Sequence, residues 1–195
     1  MKIRKSPLTS TFTEVTRWIR EIYAGRIVRL ELVEVELPGG RRTIREIVRH
    51  PGAAVILSLL DLDGQEHLLL VRQYRKAVEE AFWELPAGTL EPGETPLDCA
   101  QRELVEETGY RAAEWRELLS FYPSPGVLGE RMTLFLATDL QPVASEDRAA
   151  PEDEFIQLGS FTLSAAFDLI ADGGIKDAKT IIGVQWAEKL RRDNP

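Results

Sequence analysis

The stretch "GTLEPGETPLDCAQRELVEETGY", residues 88–110, sets six carboxylates in twenty-three positions, three of them (Glu103, Glu106 and Glu107) within five residues. A chain that folds around this stretch must either give its acids to water or place a cation among them. Thr95-Pro96-Leu97-Asp98 is a good helix start, with Thr as N-cap, Pro at the first helical position and an acid in the first turn. Gly109 suits the residue just past a helix end, so the spacing predicts a helix over 96–108. At about 100° per residue, with Glu103 at zero, Glu107 falls near +40° and Glu106 near −60°, while Leu97 and Leu104 fall at roughly +100° to +120°. The acids therefore form a stripe beside the core stripe. Carboxylates clustered in this way repel one another and raise their own pKa values unless a cation sits among them. Mg²⁺ or Mn²⁺ prefers such hard oxygen ligands, often together with substrate phosphates. The alternative is a plain solvated amphipathic helix. Against it stand Gly88 and Gly93, which let the preceding loop come close and bring a main-chain oxygen, for example that of Ala87, to the acidic face.

The rest of the chain narrows the chemistry. At 195 residues, 44% hydrophobic and 29% charged, it is long enough to bury a full core as one domain, or as one domain with an appendage. No apolar run approaches the roughly 18 residues of a membrane span, and residues 1–10 lack the apolar centre of a secretory signal, so a cytoplasmic setting is expected. One cysteine, Cys99, and two histidines, His50 and His67, exclude an intrachain disulfide framework and a Cys/His-rich zinc site. A metal here must be held mainly by oxygen. A net charge of −8 argues against a general nucleic-acid binder but leaves room for a small phosphorylated ligand met by a few arginines.

Along the chain, "RIVRLELVEVELPGGRRTIREIVRH" reads as a hairpin about a Pro-Gly-Gly turn, and the doublet Leu32-Val33 shifts its charge alternation as a bulge would. A second hairpin, "AAVILSLLDLDGQEHLLLVRQYR", turns at Asp63-Gly64. "AFWELPAG", the acidic helix and a strand near 132–138 follow, then helices around 163–171 and 177–190, with "ASEDRAAPEDE" as a mobile loop. Mixed strands with few helices predict an α+β or layered α/β/α domain at 51–195, preceded by a β-rich arm at 1–50.

Gly88, five residues, Glu94, seven residues, then Arg102-Glu103-Leu104-Val105-Glu106-Glu107-Thr108-Gly109-Tyr110 resembles, position by position, the signature of the Nudix hydrolases. The resemblance implies an α/β/α sandwich with a mixed sheet, and Mg²⁺-assisted hydrolysis of a diphosphate linked to a nucleoside. "VRQYRKAVEEAFWELPAG", "SPGVLGER", "PEDEFI" and "GGIKDAKTIIG" extend the likeness across most of residues 45–183, and Pro125, fifteen after Tyr110, points to the ADP-ribose pyrophosphatases within that family. For that group the expected reaction is cleavage of ADP-ribose to AMP and ribose 5-phosphate. The alternatives are hydrolysis of another nucleoside diphosphate sugar such as GDP-mannose or UDP-glucose, a non-catalytic nucleotide-sugar-binding module, or a hydrolase of damaged nucleoside triphosphates. The resemblance also implies a homodimer that exchanges its N-terminal β arm, for which unpaired strand edges are an independent physical reason.

Carried onto these residues, the resemblance makes Glu103 and Glu107 the principal side-chain metal ligands, the Ala87 carbonyl a backbone ligand, and Glu106 a ligand or an acid close behind. Glu94 and Arg102 are expected to pair and hold the loop on the helix. Of the acids in "PEDEFI", Glu152 is expected as general base and Glu154 as a carboxylate near metal. Arg75 and Arg45 are candidates for the phosphates or the adenine edge, or else surface ion pairs. Glu130 resembles the position that meets the terminal ribose. Trp18, Tyr23 and Trp83 either stack on adenine or fill core. Cys99 is expected as a buried, inert thiol, and Lys179 in "DAKT" is assigned no chemistry.

Overall fold

The computed structural model describes residues 12–144 and 155–193. The chain forms two compact units: Met1–His50 with Ser124–Glu130, and Pro51–Pro123 with Arg131–Pro195.

The first unit is an antiparallel three-stranded sheet in the order β1 (Val15–Ala24), β2 (Arg29–Glu36), β3 (Arg42–Arg49). The Pro-Gly-Gly turn joins β2 to β3 with Gly39 and Gly40 at φ 99° and 87°, backbone angles that side chains oppose. The register from Arg29↔Arg49 to Glu36↔Arg42 runs without a break. The bulge expected at Leu32-Val33 is therefore absent. The irregularities lie on β1 instead, between Thr16 and Trp18 and between Glu21 and Tyr23. The physical reason is position: β2 is paired on both sides, so an extra residue there would break two ladders, whereas the edge strand β1 disturbs one. Val33 and Val35 are buried on one face of β2. The segment Ser124–Glu130 covers the outer edge of β3, where the Val48 N–H donates to the Val127 carbonyl at 2.8 Å and the Gly129 N–H to the Val48 carbonyl at 2.9 Å.

The second unit is a mixed sheet between helices. Its main path runs β10 (Gln157–Thr162), β5 (Gln65–Arg75), β4 (Ala53–Leu62), β9 (Met132–Pro142), β8 (Tyr110–Phe121), with β6 (Glu80–Glu84) on β5 and β7 (Ala87–Thr89) on β4. Strands β4 and β9 run parallel and the other pairs antiparallel. The β4–β5 hairpin turns through Asp63 and Gly64 at φ 55° and 81°, with Leu62 opposite Gln65, the two-residue turn that suits strand twist.

Strand β4 shows why helices lie on both faces. Ala54 and Ile56 pack with Cys99, Ala100 and Leu104 of α1 (Pro96–Thr108). Val55 and Leu57 pack with Ala166 of α2 (Leu163–Ala171) and Val184 and Ala187 of α3 (Ala178–Asp193). Successive side chains of a strand point to opposite faces, so a continuous apolar run requires cover on both. The result is the expected α/β/α sandwich with the N-terminal antiparallel sheet. No helix among the described residues is long and apolar enough to cross a membrane.

Two elements escaped the sequence reading. Strands β8 and β10 were not anticipated: the "YRAAEWREL" portion of β8 is rich in residues that favour helix, and it is an edge strand paired only with β9. The helix α1 falls where its spacing puts it. Thr95 is extended (φ −82°, ψ 156°) and its hydroxyl accepts from the Asp98 N–H at 3.2 Å, while Gly109 at φ 74° donates to the Val105 carbonyl at 2.9 Å. Thr95→Ala should cost about 1 kcal/mol and lower Tm by roughly 2–4 °C in thermal unfolding; an unchanged Tm would deny the cap its role.

Candidate active site

Helix α1 turns its acids toward the loop before it, and one guanidinium gathers them. Arg102 grips Glu94 side-on, Nε to Oε1 at 2.9 Å and Nη2 to Oε2 at 3.1 Å. Its Nη1 donates to Glu103 Oε1 at 2.6 Å and to Glu106 Oε2 at 3.0 Å. The Glu91 N–H donates to Glu94 Oε2 at 2.9 Å, which closes the loop on itself. Hydrogen bonding from Arg102 holds the Glu94 carboxyl below its ordinary pKa, and the same bond raises that of Arg102. The expected Glu94–Arg102 pair is present, and Arg102 also reaches Glu103 and Glu106, the two half-buried members of the acidic stripe.

Strand β7 closes the other side. The Ala87 N–H donates to Glu107 Oε2 at 3.0 Å, and Glu107 is only 4% exposed. At Gly88 a Cβ atom would lie 1.7 Å from Glu103 Oε1 and 1.9 Å from its Cδ. A side chain there would have to displace the Glu103 carboxylate, so glycine serves the carboxylate's position and not a backbone angle. Cys99 is fully buried, with its Sγ 3.4 Å from the Gly88 carbonyl, and burial followed by the charges of Glu94 and Glu103 pushes its thiol up to about 12.

A second network, buried at Glu84 and Lys179 and open to solvent at Arg75, lies in the same unit. Arg75 donates to Glu84 side-on, Nε to Oε1 at 2.7 Å and Nη2 to Oε2 at 2.8 Å, and Lys179 Nζ also donates to Glu84 Oε2. Lys179 donates to Asp177 Oδ2 at 2.9 Å as well. The Glu84 bond raises the pKa of Arg75, with smaller contributions from the charges of Glu107 and Asp177. Glu84, Asp177 and Thr180 were missed in the sequence. The available signal was an acid inside the apolar run "AFWELP" and the clustered polar residues of "DAKT".

The remaining candidates are placed as follows. Arg45 on β3 donates side-on to Glu14 at 3.1 and 2.5 Å, and Trp18 and Tyr23 are exposed on β1. Glu130 lies 3.5 Å from His50 Nδ1, also in the first unit. Trp83 is half-buried and meets Phe161 edge-on with ring centroids 4.7 Å apart. Glu152 and Glu154 lie outside the described residues. Ala87, Glu103, Glu106 and Glu107 are brought together at the junction of β7 and α1. Their carboxylate and carbonyl oxygens are the donor chemistry of a hard divalent cation. Among the described residues no three acidic, His or Cys side chains converge on one point, and Arg102 draws Glu103 and Glu106 to itself.

A family model described as NUDIX domain matches residues 49–182. A methanol dehydrogenase activator from Bacillus methanolicus is 41% identical over 179 residues, which are 91% of this chain and 94% of that protein. An ADP-ribose pyrophosphatase from Bacillus subtilis (strain 168) is 41% identical over 168 residues, 86% of this chain and 89% of that one. A solved structure of an ADP compounds hydrolase shares the fold with a TM-score of 0.80, covering 95% of this chain and 97% of that chain at 22% identity. The acidic helix, the glycine pressed against its carboxylate, the layered sheet and a family match over most of the chain lead to one conclusion: this protein belongs to the NUDIX family and is a Nudix hydrolase.

Proposed function

We propose that the protein hydrolyses the diphosphate of ADP-ribose, with Mg²⁺ or Mn²⁺, to AMP and ribose 5-phosphate. The observation that carries this reading is the placement of Glu103 and Glu107 against the Ala87–Gly88 backbone, with Glu106 joined to Glu103 through Arg102, and the 41% identity to an ADP-ribose pyrophosphatase supports the substrate. Glu103, Glu107 and the Ala87 carbonyl are the ligands, with Glu106 a ligand or close behind and Glu154 near the metal. When bound, the cation neutralises the diphosphate, polarises phosphorus and lowers the pKa of a water. The chain supplies the positioning: the Ala87 N–H orients Glu107, Arg102 relieves the repulsion among the other acids, and Glu152 accepts the proton of the attacking water. As the water oxygen bonds to one phosphorus, the bridging P–O bond breaks and its oxygen leaves with the other phosphate. Arg75, Arg45, Glu130, Trp18 and Trp83 are the proposed substrate contacts.

The N-terminal arm at 1–50 is proposed to pair with a second copy. Its strand β1 is exposed along its length, including Val15, Trp18, Ile19, Ile22 and Tyr23, and its outer edge is open within the three-stranded sheet. An apolar edge strand of this kind invites pairing. A second functional reading is favoured by the relative named as a methanol dehydrogenase activator, namely that this chain alters the rate of an alcohol dehydrogenase. Adding the protein to such an enzyme and reading its rate tests that idea.

Three measurements follow. In a phosphatase-coupled screen of ADP-ribose, GDP-mannose, UDP-glucose and nucleoside triphosphates, ADP-ribose with Mg²⁺ should lead and EDTA should abolish release; another substrate ahead, or turnover in EDTA, would overturn the assignment. Glu107→Gln should cut turnover by at least about a hundredfold and weaken activation by Mg²⁺, whereas Glu152→Gln should lower kcat with metal affinity little changed. Gly88→Ala, which displaces Glu103, should resemble Glu107→Gln with the fold retained. Light scattering should give a dimer at micromolar concentration that Ile19→Asp weakens, and a monomeric unaltered protein would refute the arm's role.

A further inference from the structure

Four consecutive residues leading to the acidic site are each held by a different partner. The Glu84 carboxylate receives Arg75 and Lys179. The Leu85 N–H donates to Thr180 Oγ1 at 2.8 Å. The Pro86 carbonyl accepts from the Ile56 N–H at 2.9 Å, and the Ala87 N–H donates to Glu107 Oε2 at 3.0 Å. The first two anchors involve the start of α3. There Asp177 Oδ2 accepts from Lys179 Nζ at 2.9 Å, from the Thr180 N–H at 3.0 Å and from the Thr180 hydroxyl at 2.6 Å. The Thr180 hydroxyl thus donates to Asp177 while it accepts from Leu85, so its orientation is fixed from both sides. One turn further on, a Cβ at Gly183 would lie 2.2 Å from Leu85 Cδ1, which sets α3 at close range over the same segment.

These groups are deeply buried: Glu84 is 1% exposed, Lys179 5% and Thr180 fully covered. An ion pair at such depth gives little net stability compared with apolar packing, because both charges lose their hydration, but its hydrogen bonds accept one geometry. We propose that Asp177, Lys179 and Thr180 are positioning residues of the acidic site, which fix residues 84–87 and, through the Ala87 N–H, the orientation of the Glu107 carboxylate. The consequence for cation binding rests on the reading of Glu107 as a metal ligand; the geometric link does not.

The test compares Thr180→Val, which keeps the shape and removes the hydroxyl, with Thr180→Ser, which keeps the hydroxyl. The readouts are amide hydrogen exchange at Ala87 relative to the core Leu57 amide, Mn²⁺ affinity by electron paramagnetic resonance, and Tm. Thr180→Val should speed Ala87 exchange by about tenfold relative to Leu57 and weaken Mn²⁺ binding by about tenfold, with Thr180→Ser restoring both. A lowered Tm with Ala87 exchange and Mn²⁺ affinity unchanged would overturn the proposal and leave these residues a purely structural role. If Thr180→Val does not fold, the unaltered protein decides: the Leu85 and Ala87 amides should open with the same free energy, and distinct openings would refute the link. Failure of the unaltered protein to bind Mn²⁺ would refute the metal reading alone, since the Ala87 exchange response is measured without metal.

Discussion

Acids on successive turns of one helix repel one another, and here a single guanidinium between them turns that repulsion into the tie on which the site depends. Arg102 spends its planar set of donors on Glu94, Glu103 and Glu106, so it joins the Gly-rich loop to α1 and prevents the acidic stripe from spreading. Side-on pairing fixes an angle as well as a distance. A point charge such as lysine in the same place would attract the acids without aligning the loop. Because Gly88 lies directly against Glu103, any drift of this loop would move the strand β7 that also carries Ala87.

The sheet completes the arrangement by giving the loop a rigid back. Strand β4 is paired with β5, β7 and β9 and its first half is buried on both faces, so β7 is laid against a fully packed strand. Helix α1 covers one face and α3 the other. The site therefore sits where a strand, the C-terminal half of a helix and a tight loop meet, and each has its own hydrogen-bonded anchor.

How much of this was legible depended on how local the cause was. The limits of α1 were readable because Thr95, Pro96 and Gly109 act within one turn of themselves. The Asp63-Gly64 turn was readable for the same reason, and so was the acidic stripe, whose phase follows from helix pitch. Strand β8 was hidden because its own residues favour helix and only pairing with β9 makes it extended. The bulge was misplaced because strand order, not the Leu32-Val33 doublet, decides which strand yields. The Glu84–Lys179 contact joins residues 95 positions apart, and nothing in either segment names the other.

The sulfur of Cys99 gains a different property from its burial under α1 and, after that, from the same acids. A thiol pushed up to about 12 stays protonated at neutral pH, and oxidants react with the thiolate. Burial beneath α1, reinforced by the charges of Glu94 and Glu103, therefore holds the sole cysteine as a neutral thiol, the form that oxidants attack least.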